Sequence, residues 1–392
     1  MGILEELRRR GHEVAVRTLS SEIATLRANG YDAGPIAPRI EAMPVDDWKA
    51  RSPLGGAKKG VAIFCRRAEH DAADLRRAIE EERPDAVLVD IMSWGALATA
   101  ESWGGPWASF SPLPLSLPSP DAPPFGPGLR PARGLLGHLR DRLVWASFRA
   151  AFDPFVRSRL NPLRAKLGLD PLDHAHDLFL KPPLLLYMTA EGFEYPRSDW
   201  PESVVMVGPC AWEPPAAPPK ELAEVEAPFV LVTTSSEFQN DSRLVRTALA
   251  ALAGEPYHVI ATLPAAGLRD LRPPPNATVL PFAPHGPILD RAVCAITHGG
   301  MGATQKALAR GVPVCVVPFG RDQFEVARRV EVASAGSRLP PWRLSPSQLR
   351  TKVREAIARR AGAERVADAF AATGGPPAAA DAFEQRLGLS AS

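Results

Sequence analysis

The segment from Ala292 to Val330, AVCAITHGGMGATQKALARGVPVCVVPFGRDQFEVARRV, constrains this chain more than any other. An apolar run suited to a buried strand leads into a glycine-rich turn and a short helix closed by Gly311. A second apolar run and a second, polar-started helix complete one βαβα unit. Such a unit sets two turns side by side at strand carboxyl ends. The first, His298-Gly299-Gly300-Met301-Gly302, lacks Cβ atoms where an anion would approach. The helix behind it aims its positive end and unpaired N–H groups into the same space, so a phosphate or pyrophosphate is the natural occupant. Neither GxGxxG nor GxxxxGK[ST] fits these residues, which sets aside the two best-known phosphate loops.

The rest of the chain is consistent with a large α/β protein. At 392 residues, 45% hydrophobic and 23% charged, it is long enough for two domains. A net charge of +2, with arginines scattered among acids as in LRRAIEEERPD, gives no electrostatic footprint for nucleic acid or a membrane surface. Cys65, Cys210, Cys294 and Cys315 have no metal or redox spacing, and the last two fall in apolar runs where cysteine acts as a small hydrophobe. With neither a signal sequence nor an apolar run of membrane-spanning length, a reducing cytoplasm is the expected setting and membrane insertion is not expected. Oligomeric state leaves no mark.

Proline clusters mark the joints. AWEPPAAPPKELAEVEAP, Ala211 to Pro228, lacks periodicity and reads as an interdomain linker. It separates a first domain, 1–210, from a second, 229–374, followed by a C-terminal helix, 375–392, with the option of crossing back. In the first domain VAVRTL, PDAVLVD and PWASFSP read as strands, and SPLPLSLPSPDAPPFGPGLRP, Ser111 to Pro131, as a long loop, either functional or a mobile surface segment. In the second, APFVLVTTSS, YHVIATL and ATVLPFAP precede the βαβα unit. Alternating strands and helices predict doubly wound parallel sheets with ligands outside the strand carboxyl ends.

The full string HGGxGATxxALxxGVPxxxxPxxxDQ resembles the nucleotide-sugar-binding signature of the inverting UDP-glycosyltransferase family, which includes bacterial enzymes that decorate macrolides and other natural products. Weaker similarity runs from ELRRRGHEV to the last helix. The resemblance implies the GT-B architecture: two Rossmann-like, doubly wound α/β domains facing across a cleft. The chain begins MGILEELRRRGHEV, a helix that in the family follows a strand and a histidine-bearing turn, so the first domain is expected to be truncated at its N-terminus. His12 lies at the wrong end of that helix for the missing histidine and reads as a polar turn residue.

The implied reaction is an inverting, metal-independent transfer of a hexose or deoxyhexose from a UDP- or dTDP-sugar to a hydroxyl of an apolar small-molecule acceptor. No cofactor is expected beyond the sugar nucleotide itself. No DxD pair occurs, so a metal site is not expected. The alternatives are a catalytically inactive or auxiliary nucleotide-sugar-binding homologue and, on the same architecture, a nucleotide-sugar epimerase.

The implied site residues follow. Asp90 matches the carboxylate that orients the catalytic base, and reads equally as a cap of the next helix. His298, Gly299, Gly300, Gly302 and Ala303 would meet the pyrophosphate, with Thr304 adding a hydroxyl. Asp322 and Gln323 match the acid–amide pair that bonds donor-sugar hydroxyls, while Asp322 with Glu325 also reads as a capping box. Ser235 and Ser236 are phosphate donors or ordinary turn residues. Phe282 and His285 flank the nucleobase, Phe282 stacking on it or lying in the core. Lys306 stands where a glutamate usually reaches the ribose. It donates but does not accept, suiting a deoxyribose nucleotide or extra donor charge. The loop from Ser111 to Pro131 falls on the acceptor side.

Overall fold

A computed structural model describes residues 1–50, 52–213, 219, 222, 224–235, 242–263 and 271–389. Its strands are β1 (Ala15–Thr18), β2 (Asp32–Pro35), β3 (Val87–Asp90), β4 (Trp107–Ser111), β5 (Leu185–Tyr187), β6 (Val204–Met206), β7 (Phe229–Thr233), β8 (His258–Thr262), β9 (Ala277–Leu280), β10 (Ala292–Thr297), β11 (Val314–Val316) and β12 (Gly336–Arg338). The helices are α1 (Gly2–Arg9), α2 (Ser20–Ala28), α3 (Pro38–Glu41), α4 (Pro53–Glu82), α5 (Trp94–Trp103), α6 (Gly134–Lys166), α7 (Ser242–Leu252), α8 (His285–Leu289), α9 (Met301–Leu308), α10 (Gln323–Val332), α11 (Pro346–Ile357), α12 (Arg360–Thr373) and α13 (Gly375–Leu387).

The second half is a parallel sheet in the order β12-β11-β10-β7-β8-β9. Its central strands are apolar on both faces because helices cover both. Phe229 and Leu231 of β7 face one cluster, with Val314, Val326 and Leu308; Val230 and Val232 face the other, with Leu244, Val259 and Leu349. Cys294 and Cys315 lie in that second cluster, fully buried and reduced. Strand order reverses between β7 and β10, where Thr233 pairs with Thr297. A doubly wound sheet opens a crevice at such a reversal, because neighbouring connections leave toward opposite faces.

The first half carries two sheets among the described residues, a four-stranded β3-β4-β5-β6 and a two-stranded β1-β2, all parallel. β1 and β2 are only partly buried, whereas every residue of β7 is buried. A two-stranded sheet has little independent stability. Amides of β1 and β2 are therefore expected to exchange with deuterium at least 100-fold faster than those of β7, β8 and β10. Equal protection would show that the small sheet is locked by its helices instead.

α13 packs on α1. Ile3 and Leu7 meet Ala379, Ala380 and Phe383, and Arg10 bridges Asp381 at 2.6 Å and Glu384 at 2.7 Å. His12 joins Glu384 at 2.9 Å, a turn residue tied to the last helix. The described residues of the 211–228 segment pack too, Leu222 being buried in the second-half core. No helix among them is long and apolar enough to cross a membrane.

Candidate functional site

β10 delivers His298 at the strand-order reversal, and the chain turns there into α9 with Gly300 as N-cap. Gly299 has φ +95°, and a Cβ on it would stand 3.0 Å from Gln323 and Val316. At Gly300 a Cβ would come within 2.5 Å of His298 Nε2, so the edge of the imidazole packs against a bare α-carbon. Gly302 faces open space. The first-turn amides of Met301, Gly302 and Ala303 have no carbonyl four residues back to bond, and together with the helix dipole they form an anion cradle. Ser235 leaves β7 beside this turn and is buried; Ser236 lies outside the described residues.

Thr304 corrects an expectation. It is fully buried, and its hydroxyl pairs with the Thr297 hydroxyl at 3.3 Å inside the strand–helix junction rather than facing a ligand. The Thr297 oxygen also accepts the Gly299 N–H at 3.1 Å, so the two threonines shape the turn instead of lining it.

The second turn, between β11 and α10, differs from its expected form as well. α10 has no side-chain cap from Asp322, and Glu325 does not reach back, so the capping box is absent. Asp322 is half-buried, with its Oδ2 sealed and unbonded, and burial pushes its carboxyl up to about 6. Gln323 is buried, and its Oε1 accepts N–H groups of Phe319 at 2.7 Å and Gly320 at 3.1 Å. That oxygen closes the turn on which Asp322 stands, so it does not project freely into the cleft. Arg321, at φ +54°, is gripped from the first half by Asp47 at 2.8 and 3.0 Å.

On the nucleoside side, Phe282 is 64% exposed, which disposes of the core reading and leaves its face available for stacking. His285 is half-buried, its Nε2 is 3.1 Å from the Thr262 hydroxyl, and burial with Lys306 nearby lowers its pKa to about 4, so the ring is neutral. Lys306 is not a spare cation. Its Nζ is 2.8 Å from Glu213, whose carboxylate also accepts the His285 and Gly286 amides at 3.0 and 2.9 Å. Glu213 thus returns to this corner an acceptor that Lys306 lacks. It comes from the proline-rich segment, where no spacing or periodicity marks it.

Asp90 ends β3, but the N-cap of α5 is Ser93, so Asp90 is not the helix cap. Its Oδ1 accepts the Met92 N–H at 2.8 Å, and burial raises its pKa. The Ser111–Pro131 loop is packed rather than a loose surface segment. Leu115, Leu117 and Ala122 are buried, Arg197 donates to the Leu117 and Pro118 carbonyls, and Asp121 accepts from Ser198. A small cavity beneath it is lined by Leu115, Leu117, Phe125 and Trp200, with Glu194, Glu325 and Arg329 at its polar end.

That polar end is a network the sequence did not announce. Arg329, 5% exposed, forks onto Glu194, with Nη2 at 2.7 Å, and reaches Glu325 at 3.0 Å. Glu194 also accepts from the Tyr187 hydroxyl and the Tyr195 amide. Across the halves, Gln305 of α9 donates to the Met188 carbonyl at 2.7 Å.

Comparison with known proteins identifies the family and the fold. Residues 245–385 match the family described as Erythromycin biosynthesis protein CIII-like, C-terminal domain. Over 407 aligned residues the chain is 32% identical to 4'-demethylrebeccamycin synthase of Lentzea aerocolonigenes, covering 97% of this chain and 94% of that protein. It is 26% identical to demethyllactenocin mycarosyltransferase of Streptomyces fradiae, covering 100% and 84%. Among solved structures, CalG4, the calicheamicin glycosyltransferase, superposes with a TM-score of 0.75 at 24% identity, covering 100% of this chain and 95% of that one. The glycosyltransferase VinC in complex with dTDP superposes at 0.68 and 19% identity, covering 98% and 95%. With two Rossmann-like halves and relatives matched over nearly their whole lengths, the chain belongs to the GT-B glycosyltransferases of natural-product pathways.

Proposed function

We propose that this glycosyltransferase moves a hexose or deoxyhexose from a UDP- or dTDP-sugar to a hydroxyl of an apolar small molecule, with inversion and without a metal. The observation that carries this reading is the bare turn His298–Ala303 at the strand-order reversal, where first-turn amides and the α9 dipole converge. As the acceptor oxygen attacks the anomeric carbon, the bond to the β-phosphate oxygen breaks and charge grows on the leaving diphosphate. Preorganised amides stabilise that charge without reorganising. Asp322 accepts hydrogen bonds from sugar hydroxyls, Phe282 stacks on the base, and the Glu213–Lys306 pair offers the ribose an acceptor and a donor together. This last point makes a ribonucleotide as acceptable as a deoxyribonucleotide.

On the acceptor side, Asp90 is held through one carboxylate oxygen by Met92, leaving the other for the group that takes the hydroxyl proton. Leu115, Leu117, Phe125 and Trp200 give the neighbouring surface its apolar character.

Calorimetric titration with UDP and dTDP tests the central point. His298→Ala is expected to weaken nucleoside diphosphate binding about 10-fold, by loss of a hydrogen bond to a charged oxygen. An unchanged titration would remove His298 from the site. Product analysis then separates the alternatives: transfer only with acceptor marks the transferase, a changed sugar from donor alone marks an epimerase, and binding without turnover marks an auxiliary homologue.

A further inference from the structure

Four side chains, Arg321 of the turn that carries Asp322 and Glu325, Arg328 and Glu331 of the helix behind it, are held by the other half of the molecule. Asp47 grips Arg321, and the 126–130 segment of the Ser111–Pro131 loop lies along α10 from Glu325 to Glu331. There Glu325 Oε1 accepts the Gly126 N–H at 2.8 Å and the Gly128 N–H at 2.7 Å. Arg328 donates to the Gly128 carbonyl at 2.8 Å, and Arg130 bridges Glu331 at 2.6 Å. Gly128 has φ +61°, and a Cβ on it would stand 2.3 Å from the Phe324 carbonyl oxygen, so only glycine lets the loop lie this close.

Charge explains why the contact forms here. One guanidinium, Arg329, is shared between two buried carboxylates, Glu194 and Glu325, so each carboxylate draws on further donors. Glu194 has Tyr187 and Tyr195 as additional donors, whereas Glu325 relies on the two loop amides. Bonds from neutral donors to a buried charge are the strong kind. The loop thus completes the solvation of a residue one helical turn from Asp322.

We propose that Glu325 is a positioning residue that couples the acceptor-side loop to the donor-sugar turn, so that the docked loop holds Asp322 where a sugar hydroxyl meets it. The coupling rests on the donor-site reading above. It is reciprocal: a docked loop tightens the grip on the sugar, and a bound sugar nucleotide protects the loop.

Glu325→Ala is the obvious variant, but it also strips Arg329 of a partner. Gly128→Ala displaces the loop from outside and leaves the buried ions in place. Both are compared with wild type by deuterium exchange and by calorimetry with UDP, UDP-glucose, dTDP and dTDP-glucose. The expected result for Gly128→Ala is exchange at 120–131 at least 10-fold faster and sugar-nucleotide affinity at least 5-fold weaker. Free nucleoside diphosphate affinity stays within 2-fold. Wild-type exchange at 120–131 slows on adding the sugar nucleotide. Faster loop exchange with both affinities unchanged, or with both reduced equally, overturns the coupling. A wild-type protein that binds none of the four ligands refutes the donor-site reading instead.

Discussion

Replacing Arg329 by methionine is expected to cost about 3–5 kcal/mol, the usual penalty for stranding buried charge. Methionine keeps most of the volume, so the loss does not come from a cavity. It comes from Glu194 and Glu325, both nearly inaccessible to water, which lose the cation that bridges them. The triple variant Glu194→Gln, Glu325→Gln, Arg329→Met removes the stranded charge and is expected to regain most of the stability. A urea series on the wild type, the single variant and the triple variant reads this directly. If the triple variant is as unstable as the single one, shape and not charge holds this interface together. The network joins Glu194 of the first half to α10 of the second, so the single variant is also expected to loosen the cleft.

Asp322→Ala is expected to weaken sugar-nucleotide binding by about 10- to 100-fold, the worth of about 1.5–3 kcal/mol for hydrogen bonds to a charged acceptor. Free nucleoside diphosphate binding should be nearly unaffected. pH adds a second signature. Burial raises the Asp322 carboxyl to about 6, with Glu325 adding to the shift while its own backbone N–H, Arg321 and Arg329 oppose it. Hydroxyl donors favour the ionised form, so sugar-nucleotide affinity should rise about 10-fold from pH 5 to pH 7. Sugar nucleotides carry no phosphate titrating in that window, and Asp322→Asn should flatten the profile. A wild-type profile already flat between pH 5 and 7 would remove Asp322 from the sugar contact. The sign for stability is opposite. A carboxyl raised in the folded state binds its proton more tightly there than when unfolded. The folded protein is therefore penalised above about pH 6, and the penalty fades as pH falls toward the ordinary aspartate value.

Much of the second half was legible in advance. The runs FVLVT and AVCAIT are continuous and apolar because both sheet faces are covered, a pattern that survives in any order of strands. The turn into α9 was equally plain, since glycine is needed where φ is +95° or where a ring lies on the backbone. The first half was harder. α6 goes unread in the sequence because it runs through Pro154 and Pro162, residues that normally end a helix. Packing of Trp145, Phe152, Val156 and Leu160 outweighs that local preference. β5 and β6 are three residues each, too short for periodicity to register.

The site divides along the same line. The amide cradle at α9 and the placing of Asp322 at the start of α10 arise from residues adjacent in the chain, so backbone preferences and helix geometry determined them, and the amino-acid string alone carried that information. Glu213 on Lys306, the Gly126 and Gly128 amides on Glu325, and Asp47 on Arg321 join residues 93, 199, 197 and 274 positions apart. No local propensity selects such partners. Only the packed halves bring them within hydrogen-bonding distance, because a buried charge takes whatever donors the fold sets beside it. Tertiary structure therefore decided which carboxylates were spent internally, as with Glu213 and Glu325, and which were left facing the cleft.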